Sequence, residues 1–189
     1  MSVTREKILE LGEEFILTKG YNGFSYYDIS AAMGIKNAAV HYYFPSKENL
    51  GTSILKTNIQ RFDEMVENMQ NRGFDERHQL ESFMKIYVKS NRDSKICLIG
   101  SLGTDINTLN DPMRIELQNL VERIISWIEI TLENGRAKGL FQFRISARNQ
   151  ATQILSSLVA GLQLARILDK SAFKTIYQSI WEEITPPVQ

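Results

Sequence analysis

The sequence predicts an all-α protein: a small N-terminal three-helix helix-turn-helix domain followed by a larger helical bundle. Three observations carry that expectation. Gly and Pro are sparse, 11 and 4 in a chain of 189 residues. Apolar residues recur at i, i+3 and i+4 in nearly every segment between these breakers, the period of an amphipathic helix. The stretch from Gly23 to Leu50 fits two short helical patterns, a tight turn and the start of a long helix into very little chain, as a helix-turn-helix does.

The first helix is expected over about Val3–Thr18, with Ile8, Leu11, Gly12 and Phe15 inward and Leu9 and Ile16 at the margin. Lys19-Gly20-Tyr21 stops it, because a glycine can take the left-handed cap conformation. Ser25 caps a second helix with Asp28 at the capping-box position, and Ile29, Ala32 and Met33 form its inner face. Gly34 permits the turn and Ile35 plugs the core. A third helix runs from about Asn37 to Phe44, with Val40 and Phe44 inward, Tyr43 part-buried and Tyr42 outward. Pro45 ends it, since the residue before a proline avoids helical geometry. Ser46 then caps a long fourth helix over 47–70 bearing Leu50, Ile54, Leu55, Phe62 and Met69.

Further helical patterns are expected at 76–90, 96–107, from Pro112 to a weak end at Asn134-Gly135 and Gly139, and at 147–168 and 171–184. The last two carry broad apolar stripes, and Ala160-Gly161 permits close approach of backbones.

Bulk properties narrow the function classes. No apolar run approaches a bilayer-spanning length, and the acidic residues of MSVTREKILELGEEF argue against a secretory signal. Cys97 is the single cysteine, so a reducing cytoplasm is expected. There is no nucleophile elbow, no phosphate-cradling Gly-rich loop and no Cys/His metal spacing, so no enzyme, cofactor or metal is expected. Net charge is zero. In residues 1–50, five bases (Arg5, Lys7, Lys19, Lys36, Lys47) face six acids (Glu6, Glu10, Glu13, Glu14, Asp28, Glu48). A nucleic-acid reading must therefore rest on pattern rather than on charge.

The order Gly20, Phe24-Ser25, Asp28-Ile29, Ala31-Ala32, Gly34-Ile35, Tyr42-Tyr43-Phe44 and Ser46-Lys47-Glu48-Leu50 resembles the DNA-binding domain of TetR-family transcriptional regulators, over about residues 5–55. The resemblance implies a helix-turn-helix DNA-binding domain at 1–46 and an effector-binding and dimerisation domain at 47–189, with the helix 47–70 connecting them. It implies a homodimeric repressor that binds a palindromic operator in double-stranded DNA and is released by a small-molecule effector. Carried over by position, Ser25, Tyr26 and Lys47 contact phosphates, and Lys36, Asn37, Ala38, Ala39, His41 and Tyr42 face the DNA. The chemistry fits: hydroxyls and Lys position the protein on phosphate, Asn can read adenine edges, and an Ala methyl can pack on a thymine methyl. His41 stands where tyrosine is usual, and Ala38 where glycine is common.

In the second domain, Lys95 to Gly103 and Gly161 to Arg166 resemble the electrophile-sensing branch of that family, that of the N-ethylmaleimide reductase repressor. Ile96 replaces the branch's glycine before the cysteine. Two readings of Cys97 stay open, a sensor thiol or a buried small hydrophobe. Met84, Tyr87, Cys97, Leu102 and Trp127 are candidate effector contacts, though at helical spacing such residues also serve as plain core. Leu155, Leu158, Leu162, Ile176, Ile180 and Trp181 are the candidate dimer interface, with burial inside one protomer the alternative. The rival to regulation is a helical protein-interaction module whose helix-turn-helix no longer binds DNA.

Overall fold

The computed structural model describes residues 3–186; Met1–Ser2 and Pro187–Gln189, the outer ends of the expected domain ranges, lie outside the described residues. Among the described residues are nine α-helices and no strand. They are α1 (Val3–Lys19), α2 (Tyr26–Met33), α3 (Asn37–Tyr43), α4 (Lys47–Asn71), α5 (Glu76–Arg92), α6 (Leu98–Thr104), α7 (Asp111–Ala137), α8 (Ala147–Ile167) and α9 (Lys170–Ile184). Short 3-10 turns at Tyr21–Gly23 and Ile106–Thr108 complete the list.

The chain forms two compact units. The first holds the residues up to Arg61 together with Leu98–Leu120. Its core contains Ile8, Ile16, Ile29, Val40, Phe44, Leu50, Ile54 and Leu55. Leu9 and Ile16, expected at the margin of α1, are 6% and 0% exposed. The reason is a second buried side: α6 packs on α1, and the buried Ser101 hydroxyl donates to the Ile16 carbonyl at 2.8 Å. Phe15 and Leu11, expected inward, are only half-buried. Asp105 ties the α1–α2 connection to the same segment. Its carboxylate accepts the Tyr21 N–H at 3.0 Å and the Asn22 amide at 3.0 Å, and that amide also donates to Thr108 Oγ1 at 2.9 Å.

The second unit comprises Phe62–Cys97 and the residues from Val121 onward. Phe62, Phe83 and Trp127 meet edge-on, with centroids 5.4–6.2 Å apart, the arrangement ring quadrupoles favour. Gly135 does not end α7, which continues to Ala137 before Gly139 (φ 73°) breaks it. Gly135 is there for space: a Cβ would stand 2.2 and 2.5 Å from the Phe141 ring. Gly135→Ala therefore sets overpacking, about 1–3 kcal/mol, against a gain of about 1 kcal/mol in helix propensity. The expected net, about 1 kcal/mol, is a melting temperature lower by about 2–4 °C in a thermal scan; an unchanged or raised value would show that Phe141 yields freely.

Helices α8 and α9 pack extensively on one another. Their packing covers four of the six residues expected at a dimer interface. Leu155, Leu158, Leu162 and Ile180 are between 0% and 5% exposed within one protomer, because each stripe faces the other helix. Gly161 allows that approach: Ile176 and Phe173 side chains lie 3.2 Å from where its Cβ would be. Ile176 and Trp181 are half-buried. The apolar side chains left outside are Leu164, Ile167 and Leu168, 44%, 77% and 68% exposed.

Candidate nucleic-acid interface

The site is built from local sequence signals. Asp28 locks the start of α2 by accepting both the Ser25 N–H (2.7 Å) and the Ser25 hydroxyl (2.8 Å); these bonds hold its carboxyl below the usual carboxylate range. Gly34 ends α2 at φ 65°, ψ 31°, left-handed geometry a side chain disfavours. The Ile35 N–H returns to the Ser30 carbonyl at 3.0 Å, the helix-ending bond of a Schellman turn. Val40 and Phe44, 0% and 2% exposed, then anchor α3 by its inner side.

Everything else on α3 follows from that anchoring. Asn37, Ala38, His41 and Tyr42 are exposed, Ala39 and Tyr43 half-buried, and Lys36 exposed just before the helix. Tyr42 is 81% exposed, its ring edge-on to Tyr43 at 5.1 Å. His41 lies edge-on to Tyr26 at 4.8 Å, with Nδ1 3.3 Å from the Pro45 carbonyl. A carbonyl can only accept, so Nδ1 is the donor in this contact.

Two expected phosphate contacts are placed differently. Tyr26 is 7% exposed, and its hydroxyl donates to the Ser46 carbonyl at 2.5 Å; burial pushes its ionisation far up. Tyr27, next to it, is 73% exposed. The signal was present in the sequence, since Tyr26, Ile29, Ser30 and Met33 form an i, i+3, i+4, i+7 stripe that turns Tyr27 outward. Lys47 also turns inward. Its ammonium donates to the Phe24 carbonyl and sits over the Phe24 and Tyr21 rings, 4.2 and 4.8 Å from their centroids. That partial burial draws its pKa below the usual lysine value. Its reach depends on where Phe24 lies, which no local pattern reveals.

Among the effector candidates, Met84 and Leu102 are fully buried and Tyr87 is 5% exposed. Trp127 is half-buried in the ring cluster described above. These are core positions in their respective units. Cys97 is half-buried between buried Ile96 and buried Leu98, midway between the two readings the sequence left open.

A capped helix, a left-handed glycine turn and a short second helix held by its inner side with its outer side bare define a helix-turn-helix DNA-binding regulator. Residues 8–52 match the family described as bacterial regulatory proteins, tetR family. The chain is similar to the HTH-type transcriptional repressor NemR of Escherichia coli (strain K12), 25% identical over 89% of this chain and 86% of that protein. Two crystal structures share the fold over nearly their whole length. A TetR transcriptional regulator from Legionella pneumophila is 29% identical, with TM-score 0.87 over 98% of this chain and 99% of that one. A TetR-family regulator from Agrobacterium tumefaciens is 26% identical, with TM-score 0.90 over 97% and 98%. The chain carries a tetR-type domain over residues 8–52 and is a DNA-binding transcriptional regulator.

Proposed function

We propose that the protein is a homodimeric repressor in the cytoplasm, binding a palindromic operator through α3 and released by a small-molecule effector. The observation that carries the reading is the bare outer side of α3, with Tyr42 at 81% exposure on a helix whose inner residues are sealed. In this reading residues 1–46 are the DNA-binding domain and 47–189 the effector and dimerisation domain, linked by α4. Asn37, Ala38, Ala39, His41 and Tyr42 face base edges and the adjoining backbone. Ser25, Tyr27 and Lys36 lie on phosphates, and Lys47 holds Phe24 in place instead. No helix among the described residues is long and apolar enough to cross a membrane.

Two recognition helices must reach successive major grooves about one helical turn apart, so the reading requires a dimer. The exposed Leu164, Ile167 and Leu168 supply apolar surface for it. Release is a population shift: the effector favours a dimer whose recognition helices are spaced wrongly for the operator, and linkage weakens DNA binding. A thousandfold release needs a difference of about 4 kcal/mol between the two states. Cys97 is the candidate electrophile-responsive residue; Cys97→Ser is its test, since unchanged release by electrophiles would remove it.

Selection of bound duplexes from randomised DNA tests the reading, and enrichment of a palindrome is the expected result. No enrichment at low salt would favour a protein-interaction module. Of the two lysines expected on this face, Lys47 folds inward and Lys36 is exposed, so few counterions are released. The logarithm of affinity should fall against the logarithm of salt with a slope shallower than about −4 for the dimer. A steeper slope would mean that bases outside this face also reach the phosphates.

A further inference from the structure

The second unit contains a half-open cavity of 370 Å³ at the corner between α8 and α9. That volume lies within the range of small-molecule sites. The loop that ends α5 forms one wall, and the turn from α8 into α9 forms the other. Four observations bear on what it holds.

The first is charge. Lys95, Arg166 and Lys170 line the cavity against one carboxylate, Asp169. Asp169 is committed elsewhere: it accepts the Ser171 N–H at 2.7 Å as the cap of α9. Arg166 has no ion pair or hydrogen bond from its side chain among the described residues, so its guanidinium is available for an anion. The second is rigidity. Lys170 Nζ donates to the Arg92 carbonyl at 2.7 Å, and the Asn91 amide donates to the Lys170 carbonyl at 3.1 Å, fixing one wall to the other.

The third is backbone geometry. Ser94 has φ 57°, the sole non-glycine residue with positive φ among those described. A glycine would adopt it without strain; serine there adds a hydroxyl to the cavity lining. The turn that ends α5 holds it there, with the Lys95 N–H on the Ser90 carbonyl at 2.9 Å and the Ser94 N–H on the Asn91 carbonyl at 3.2 Å. The fourth is the apolar floor, made by Leu162 and Ala165, which are 1% and 5% exposed.

A cationic rim over an apolar floor suits an amphipathic anion. We propose that this cavity binds a small organic carboxylate, with its charged end at Arg166 and Ser94 and its hydrocarbon end on Leu162 and Ala165. The inference stands apart from the DNA-binding reading, because it concerns occupancy of this cavity alone.

The test is calorimetric titration of the full chain with sodium hexanoate, 1-hexanol and inorganic phosphate, alongside amide chemical shifts. Hexanoate should bind and move the amides of Ser94, Leu168 and Asp169. Hexanol and phosphate should bind at least about tenfold more weakly, each lacking one half of the recognition. Arg166→Gln, an exposed position that should not affect folding, should weaken hexanoate about tenfold or more. Hexanol binding as well as hexanoate, phosphate binding as well as hexanoate, or an unchanged affinity in R166Q would each overturn the proposal. So would the absence of shifts at those three amides.

Discussion

Tyr42→Ala is expected to weaken operator binding about thirtyfold without changing the melting temperature. The ring is 81% exposed and lies edge-on to Tyr43, so its removal leaves no cavity in the core, and surface substitutions of this kind usually stay within about 0.5 kcal/mol. On DNA the same ring occurs twice in a dimer. A loss of about 1 kcal/mol per protomer gives about 2 kcal/mol in all, which is a factor of about thirty. Tyr42→Phe separates the parts: if the hydroxyl binds phosphate, the phenylalanine variant should bind nearly as weakly as alanine, and if the ring packs on sugar or methyl groups, it should retain most of the affinity. Fluorescence anisotropy with the selected operator measures both. Affinity within twofold of the parent in Y42A would place the DNA on another face.

The interface was legible in the sequence wherever the determinants were local. Ser25 with Asp28, Gly34 and the pair Val40 and Phe44 each act within a few residues, so spacing alone located the capped start, the turn and the inner side of α3. Tyr26 stands at the helix start but belongs to the stripe with Ile29, Ser30 and Met33, and that period turns it inward. Lys47 is set by a distant group instead. Its partner is the carbonyl of Phe24, distant in sequence, and a lysine beside a helix cap carries no mark of which way it folds.

The same distinction explains the rest of the fold. Apolar stripes on α8 and α9 were plain, yet a stripe does not say whether its partner lies in the same protomer. Here α8 and α9 satisfy one another, and Gly161 supplies the clearance. Leu9 and Ile16 were read as marginal because nothing near them announces that α6 arrives from more than eighty residues away to give α1 a second buried side. The weak end expected at Asn134-Gly135 and Gly139 is where α7 stops, at Ala137, but Gly135 answers to the Phe141 ring rather than to the helix end.

Asp105→Ala is expected to disturb the DNA-binding domain without touching DNA. Asp105 lies between α6 and the turn Ile106–Thr108, yet its carboxylate holds the Tyr21 N–H and the Asn22 amide, both in the connection between α1 and α2. These are hydrogen bonds to a charged acceptor, worth about 1.5–3 kcal/mol. Losing them should speed hydrogen exchange at the Tyr21 amide by about ten- to hundredfold, if local opening governs that exchange. The consequence for regulation lies in the position of this clamp. Ser101 and Asp105 both follow Cys97 closely in sequence, and both bond to the first helix or the turn after it. Within the function proposed above, the chain from Cys97 into α6 is a second covalent connection, beside α4, to the unit that holds the helix-turn-helix. Under that mechanism D105A should bind operator more weakly while its salt slope stays the same, since no phosphate contact is lost. It should also respond less to whatever effector releases the parent. Unchanged Tyr21 exchange in D105A would show that the clamp does not hold the connection, and normal effector response alongside faster exchange would leave α4 as the route that matters.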